Sequence, residues 1–126
     1  MNQTIRVYLA DDHPIVRRGI VDLLETEPGI SVVGEATDGE EAVAGTATLQ
    51  PDVILMDLVM PNMDGITLIK EVRQNPGNRF MPIIMLTTES QPEKKQEGKS
   101  AGASGWIVKP FKPEQLLAVV RMVCPA

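Results

Sequence analysis

Five short runs of apolar and β-branched residues alternate along this chain with five segments of helical character, and this alternation restricts the possible fold more than any other feature. The runs span residues 5–10, 30–36, 53–57, 82–87 and 105–109. The third run is apolar until it ends at Asp57, which is typical of a strand buried on both faces of a parallel sheet. Strands that alternate with helices form parallel sheets covered by helices on both sides. We therefore predict a doubly wound α/β domain with five parallel strands, five helices and right-handed crossovers.

Helical periodicity is clearest in the first and last of the intervening segments. The predicted apolar stripes are Val16, Ile20, Leu23 and Leu24 in the first segment, and Leu116, Leu117, Val120, Val123 and Cys124 in the last. Residues 91–103 predict a weaker fourth helix, with Gly98 and Gly102 inside it. Its only apolar groups are Ala101, Ala103 and the ring of Pro92. A helix with so little surface to bury can shift at low cost.

Length and composition limit the classes of protein to which the chain can belong. With 126 residues, of which 43% are hydrophobic, it is predicted to form one domain over residues 1–126, with a core over about residues 5–123. The single cysteine, Cys124, cannot form an internal disulfide, and no apolar run approaches the roughly 20 residues of a membrane span. The amino terminus lacks the regions of a secretory signal. These features predict a cytoplasmic protein without membrane insertion.

Charge is unevenly distributed along the chain. The net charge of −5 argues against direct nucleic-acid binding, because free nucleic-acid-binding domains are usually basic. Residues 1–90 carry six basic and fourteen acidic side chains, whereas residues 91–126 carry six basic and three acidic ones. The first part is suited to hold a cation, and the second to attract an acidic partner segment. The basic residues considered for that partner are Lys94, Lys95, Lys99, Lys112 and Arg121. A mixed, solvated surface is the alternative interpretation.

Polar side chains stand at the ends of four predicted strands. Asp11-Asp12 follow the first strand, Asp57 ends the third, Thr87 the fourth and Lys109 the fifth. Because ligands of open α/β sheets bind outside the carboxyl ends of the strands, we expect these groups to converge at one edge. Crowded carboxylates need a compensating cation, and a cluster of oxygen ligands with room for water suits Mg²⁺. Taken singly, each acid has an alternative role in helix capping or solvation.

Such a site resembles half of a phosphoryl-transfer centre. A carboxylate can act as a nucleophile and form an aspartyl phosphate, and Asp57 is the best candidate because it ends the most apolar strand. A metal ion and the ammonium group of Lys109 would neutralise charge on the transferred group, and Thr87 offers it a hydrogen-bond donor. Dehalogenase-type phosphatases also phosphorylate an aspartate at a strand end, but they need a second aspartate two residues later, where this chain has Val59. This difference argues against a phosphatase of that type.

The order of these residues resembles the receiver domain of bacterial two-component response regulators. The resemblance rests on Asp11-Asp12, Asp57, the MPNMDG segment at residues 60–65, Thr87 and Lys109-Pro110-Phe111, and it extends over about residues 5–123. It implies the flavodoxin-like (CheY-like) strand order 2-1-3-4-5. It also implies a phosphorelay signalling protein rather than an enzyme, and a fixed set of roles for the residues at the strand ends.

By this resemblance, Asp57 is the phosphoacceptor, supplied by a histidine kinase or a histidine phosphotransfer protein. Mg²⁺ is held by Asp12, Asp57 and the main-chain carbonyl of Val59, and Asp11 holds water molecules of the metal. Thr87 and Lys109 contact the phosphoryl group.

The resemblance also implies a conformational switch. Thr87 is drawn towards the phosphoryl group, and the aromatic side chain at position 106, here Trp106, moves inward. The face formed by the fourth helix, the fifth strand and the fifth helix then binds an output segment. The alternative role for Trp106 is to fill the edge of the sheet.

Two kinds of receiver domain share features with this chain. Residues 6–43 look like receivers attached to helix-turn-helix transcription factors, and residues 52–123 look like the stand-alone chemotaxis regulator, whose partner is the flagellar motor switch. We expect the stand-alone type, with the isolated receiver of a transcriptional regulator as the alternative. Either a monomer or a phosphorylation-dependent dimer is compatible with the sequence.

Overall fold

The strands and helices follow one another as the sequence predicts. The computed structural model describes residues 4–57, 65–88, 92–109 and 111–124. The strands are β1 (Ile5–Ala10), β2 (Ile30–Ala36), β3 (Val53–Asp57), β4 (Ile83–Thr88) and β5 (Gly105–Lys109). The α-helices are α1 (Pro14–Glu25), α2 (Gly39–Leu49), α3 (Gly65–Gln74), α4 (Pro92–Ala101) and α5 (Pro113–Val123), with a 3₁₀ turn at Pro76–Asn78.

All strand pairs are parallel, and the order across the sheet is β2-β1-β3-β4-β5. This confirms the predicted fold class and strand order. β4 begins and ends one residue later than predicted. Pro82 has no N–H to donate to a ladder, although its carbonyl accepts a hydrogen bond from the N–H of Ile54 at 3.0 Å.

The core lies in two layers, one on each face of the sheet. Side chains of the strands point alternately to the two faces, so that Ile54 and Met56 of β3 lie in one layer and Leu55 in the other. The first layer packs against α2, α3 and α4, and the second against α1 and α5. No helix in the described parts of the chain is long and apolar enough to cross a membrane.

The apolar stripe of α1 is shorter than predicted. Ile20 and Leu24 are buried and Leu23 is half-buried, but Val16 is 37% exposed and its neighbour Ile15 is 88% exposed. The first turn of α1 lies at the carboxyl edge of the sheet, where the core beneath it ends. The prediction that Val16 belongs to the buried stripe was therefore wrong.

Helix α4 contacts the sheet mainly through small residues. Gly98 is buried, and a Cβ atom there would come within 2.1 Å of Sδ of Met85. Ala101 and Ala103 are partly buried against the core. The absence of a side chain at position 98 thus allows α4 to approach β4 closely, and the described part of α4 buries little apolar surface, as the sequence indicated.

Candidate metal and phosphoacceptor site

Three aspartates meet at the carboxyl ends of the neighbouring strands β1 and β3. Asp11 and Asp12 directly follow β1, and Asp57 is the last residue of β3. Asp11 is completely buried, Asp57 is 6% exposed, and the side chain of Asp12 is 28% exposed. The parallel register places Ala10 beside Met56, so the chain emerges from both strands at the same level. The predicted convergence of Asp11, Asp12 and Asp57 is confirmed.

The imidazole ring of His13 faces all three carboxylates. Its Nδ1 atom lies 3.3 Å from Oδ1 of Asp11, 3.2 Å from Oδ1 of Asp12 and 3.5 Å from Oδ2 of Asp57. The main-chain N–H of His13 also donates a hydrogen bond to Oδ1 of Asp11 at 2.8 Å. His13 occupies the N-cap position of α1. Its side chain makes no capping hydrogen bond, however, and belongs to the acidic cluster instead.

Arg17 supports this cluster from the first turns of α1. Its NH1 group donates a hydrogen bond to the main-chain carbonyl of Asp11 at 2.9 Å. Its Nε group donates to Oε1 of Glu35, near the end of β2, at 3.0 Å. Arg17 therefore connects β1 and β2 at the edge that carries the acids. Sequence reasoning missed this residue, because nothing in the local pattern pairs a helical arginine with a glutamate eighteen residues later.

The cluster fits a metal ion. One ligand atom from each of Asp11, Asp12, His13 and Asp57 can be chosen so that all four lie within 4.8 Å of one another. Oδ1 of Asp12 is buried and accepts no hydrogen bond from the described residues, so a bound cation would satisfy it. Close carboxylates repel one another when ionised, and a divalent cation offsets that repulsion. The charge and the oxygen ligands of this cluster therefore suit a divalent cation.

The remaining predicted site residues are described only in part. Thr87 is in β4 and Lys109 ends β5, and the register places Thr88 beside Lys109. The backbones of Thr87 and Lys109 both lie at the edge of the sheet that carries the aspartates. Val59, whose carbonyl was predicted as a metal ligand, lies outside the described residues, as do Pro110 and most of the segment at residues 60–65.

The face predicted to bind a partner is partly basic. Trp106 lies in β5 opposite Met85 and is 40% exposed. Lys99 and Lys112 are exposed. Arg121, in contrast, donates a hydrogen bond to Oε2 of Glu27 at 2.6 Å, so its charge is already engaged within the chain. The side chains of Lys94 and Lys95 lie outside the described parts of α4.

Comparison with known proteins shows the family to which the chain is similar. The family model for the response regulator receiver domain matches residues 7–121. The transcriptional regulatory protein LiaR of Bacillus subtilis is 42% identical over 117 residues, which are 93% of this chain and 54% of LiaR. The chain thus spans about half the length of the curated relatives that it matches.

Solved structures match nearly the whole chain. The chemotaxis response regulator CheY4 of Vibrio cholerae is 44% identical with a TM-score of 0.87, and the match covers 96% of this chain and 99% of CheY4. The receiver domain of the sensor histidine kinase PA1611 from Pseudomonas aeruginosa is 28% identical with a TM-score of 0.88, covering 98% of this chain and 99% of that domain. That structure contains a magnesium ion coordinated in its active-site cleft.

Proposed function

Because the chain belongs to the response regulator receiver domain family, whose members are phosphorelay signalling modules, we propose that Asp57 accepts a phosphoryl group in the presence of Mg²⁺. The observation that carries the proposal is the meeting of Asp11, Asp12 and Asp57 at one edge of the sheet. The donor is the phosphohistidine of a histidine kinase or of a histidine phosphotransfer protein.

In the proposed reaction, a carboxylate oxygen of Asp57 attacks the phosphorus atom of the donor. A bond from that oxygen to phosphorus forms, and the bond from phosphorus to the histidine nitrogen breaks. Asp11 is completely buried and Asp57 retains 6% exposure, so of the two more buried acids only Asp57 offers an approach to a donor. Asp11, Asp12, Asp57 and the carbonyl of Val59 would hold Mg²⁺, directly or through water. When bound, the ion neutralises charge on the phosphoryl oxygens.

Thr87 and Lys109 complete the proposed site. Both belong to strands on the β4 side of β3, and both stand at the carboxyl edge of the sheet. We assign to Thr87 a hydrogen bond to a phosphoryl oxygen, and to the ammonium group of Lys109 an ionic contact with the same group.

The phosphoacceptor assignment is tested with a small donor. Incubation with acetyl phosphate and Mg²⁺ should add one phosphoryl group, and peptide mapping should place it on Asp57. Asp57→Asn should not be labelled, whereas Asp52→Asn, a matched change at the other end of β3, should be labelled like the wild type. Equal labelling of Asp57→Asn and the wild type would overturn the assignment.

The proposed switch connects Thr87 with Trp106 and the face formed by α4, β5 and α5. The exposed fraction of Trp106 and the small buried surface of α4 support it, because both allow movement at little cost. Trp106 is the only tryptophan, so its fluorescence reports on this face alone. Addition of Mg²⁺ and beryllofluoride should change that fluorescence. An unchanged spectrum with binding demonstrated by calorimetry would remove the switch assignment.

For the output, we propose stand-alone signalling of the chemotaxis type. The support is the 44% identity to CheY4 over almost all of that protein. The activated protein should bind a segment of the flagellar motor switch of its own organism through the α4–β5–α5 face, where Lys99 and Lys112 are exposed. Reversal of both charges should weaken binding, most strongly at low salt.

The alternative output is transcriptional. The identity to LiaR and other transcriptional regulatory proteins specifically favours it. In that case the activated domain should form a dimer and should not bind the motor segment. Analytical ultracentrifugation with and without beryllofluoride distinguishes a monomer that binds the segment from a phosphorylation-dependent dimer.

A further inference from the structure

The acidic cluster contains one nitrogen ligand in addition to its oxygen atoms. His13 is the only histidine of the chain, and its Nδ1 atom lies 3.2–3.5 Å from an oxygen of each of the three aspartates. A ring that only capped α1 would have turned towards the helix, but the side chain makes no capping hydrogen bond. The ring is 60% exposed, so solvent and ions can reach the cluster past it.

The distances from Nδ1 of His13 to the three carboxylate oxygens match those in a tetrahedral zinc site. Zn²⁺ binds imidazole nitrogen and carboxylate oxygen at about 2.0–2.2 Å, so neighbouring ligand atoms of a tetrahedral site are about 3.4 Å apart. The three distances from Nδ1 are 3.2, 3.3 and 3.5 Å. One ligand atom from each of the four side chains can be chosen so that all lie within 4.8 Å of one another, so one ion placed among them could contact the nitrogen together with carboxylate oxygens.

We propose that His13 Nδ1 is a direct ligand for Zn²⁺, which binds this cluster in competition with Mg²⁺ and prevents phosphorylation. Imidazole suits Zn²⁺, whereas Mg²⁺ prefers oxygen ligands and retains its waters. The nitrogen thus adds affinity for one ion and not for the other. The proposal rests on the proposed function, since the carboxylate of Asp57 that Zn²⁺ occupies is the one assigned to attack phosphorus.

Direct ligation of Zn²⁺ by Nδ1 can be tested in the NMR spectrum of the histidine ring. In ¹⁵N-labelled protein without an affinity tag, long-range ¹H–¹⁵N spectra show one histidine only. One equivalent of Zn²⁺ should shift the Nδ1 resonance strongly and Nε2 much less, whereas Mg²⁺ should leave Nδ1 close to its metal-free position. A Nδ1 resonance that does not move at saturating Zn²⁺ would overturn the proposal.

Calorimetry of His13→Gln provides an independent test. Zn²⁺ affinity should fall at least about tenfold, an effect that even the loss of an indirect partner of a metal ligand produces. Mg²⁺ affinity should change much less. Equal Zn²⁺ affinity of the variant and the wild type would contradict the proposal. Cys124→Ser is the matched control for the only thiol, which lies at the other end of the sheet, and it should leave Zn²⁺ binding unchanged.

Labelling with acetyl phosphate separates this proposal from the proposed function. Zn²⁺ should inhibit Mg²⁺-dependent labelling of the wild type at concentrations that do not reduce the labelling of His13→Gln below that variant's own zinc-free rate. If Mg²⁺ supports labelling at Asp57 but Zn²⁺ does not inhibit it, only the zinc proposal is wrong. If Mg²⁺ supports no labelling of the wild type at all, the proposed function is wrong, and the NMR result still decides whether His13 binds zinc.

Discussion

At the amino end of the sheet, two arginines donate hydrogen bonds to main-chain carbonyls at helix ends and in the segments before strands. At the carboxyl end, in contrast, three carboxylates face one another. Arg6 donates to the carbonyls of Leu49 and Gln50 at 2.9 and 2.8 Å, which secures the end of α2. Arg73 donates to the carbonyls of Asn78, Met81 and Gly102, joining α3 to the segments before β4 and β5.

The two ends of the sheet differ in what their charged side chains do for the stability of the fold. Charged donors at the amino end satisfy main-chain carbonyls, including some that a helix leaves without partners. The carboxyl end instead holds like charges close together, which disfavours the folded state until a cation binds. Departures from locally favourable structure are expected at functional sites. The contrast therefore supports the proposal that the functional site lies at the carboxyl end of the sheet.

The largest effect is expected from removing the hydrogen bonds of Arg73. Burial lowers the pKa of its guanidinium below the ordinary value, but an arginine side chain stays charged inside proteins. Arg73→Ala should reduce the free energy of unfolding by about 3 kcal/mol, since hydrogen bonds from a charged donor are lost and carbonyls remain without partners. Urea denaturation of the variant and the wild type measures this change in the free energy of unfolding.

Arg79→Ala is the matched control for this prediction. Arg79 is exposed, and its guanidinium lies 5.4 Å from the centre of the Phe80 ring, a contact worth about 0.5–1 kcal/mol at an exposed site. Similar losses for the two arginines would show that the carbonyl contacts of Arg73 do not stabilise the amino end.

Removing Arg17 distinguishes positioning from simple electrostatics at the carboxyl end. If its charge alone mattered, Arg17→Gln would strengthen Mg²⁺ binding, because a nearby positive charge is lost. Because Arg17 holds the main-chain carbonyl of Asp11, we expect the opposite, a Kd raised about tenfold, as for other indirect supports of metal ligands. Glu35→Gln, which keeps the contact with Asp11, should have a smaller effect. Tighter Mg²⁺ binding by Arg17→Gln would refute the positioning role.

A smaller effect, of opposite sign from that of Arg73, is expected at Asp57. In the absence of metal, Asp57→Asn should increase the free energy of unfolding by about 1 kcal/mol, because it relieves repulsion between nearby carboxylates. Asp52→Asn at the amino end should not stabilise the protein, since Oδ2 of Asp52 accepts the hydrogen bond of the Arg6 N–H at 2.8 Å. Urea denaturation in a chelator compares the two variants. A less stable Asp57→Asn would show that the carboxyl end does not hold repulsive charge.

The sequence predicted the framework of both ends, but few of the contacts that distinguish them. Four of the five strand ranges were predicted to the residue, because apolar runs are bounded by Gly, Pro and Asp. The topology then placed Asp11, Asp12 and Asp57 together. The orientation of the His13 ring is a choice of side-chain rotamer, which local pattern does not determine.

Contacts between distant segments also could not be predicted from the sequence. The bonds from Arg17 to Glu35 and from Arg73 to Gly102 join elements whose spacing depends on the packing of the whole sheet. The position of Val16 depended on where the core ends, and periodicity carries no information about that limit.

The most direct test of the contrast between the two ends is a magnesium titration in which calorimetry measures the binding. The account predicts that the wild type and Asp52→Asn bind one Mg²⁺ with similar affinity, and that Asp12→Asn and Asp57→Asn bind it much more weakly. Equal Mg²⁺ binding by the wild type and by both carboxyl-end variants, or no binding by the wild type at millimolar concentrations, would contradict it.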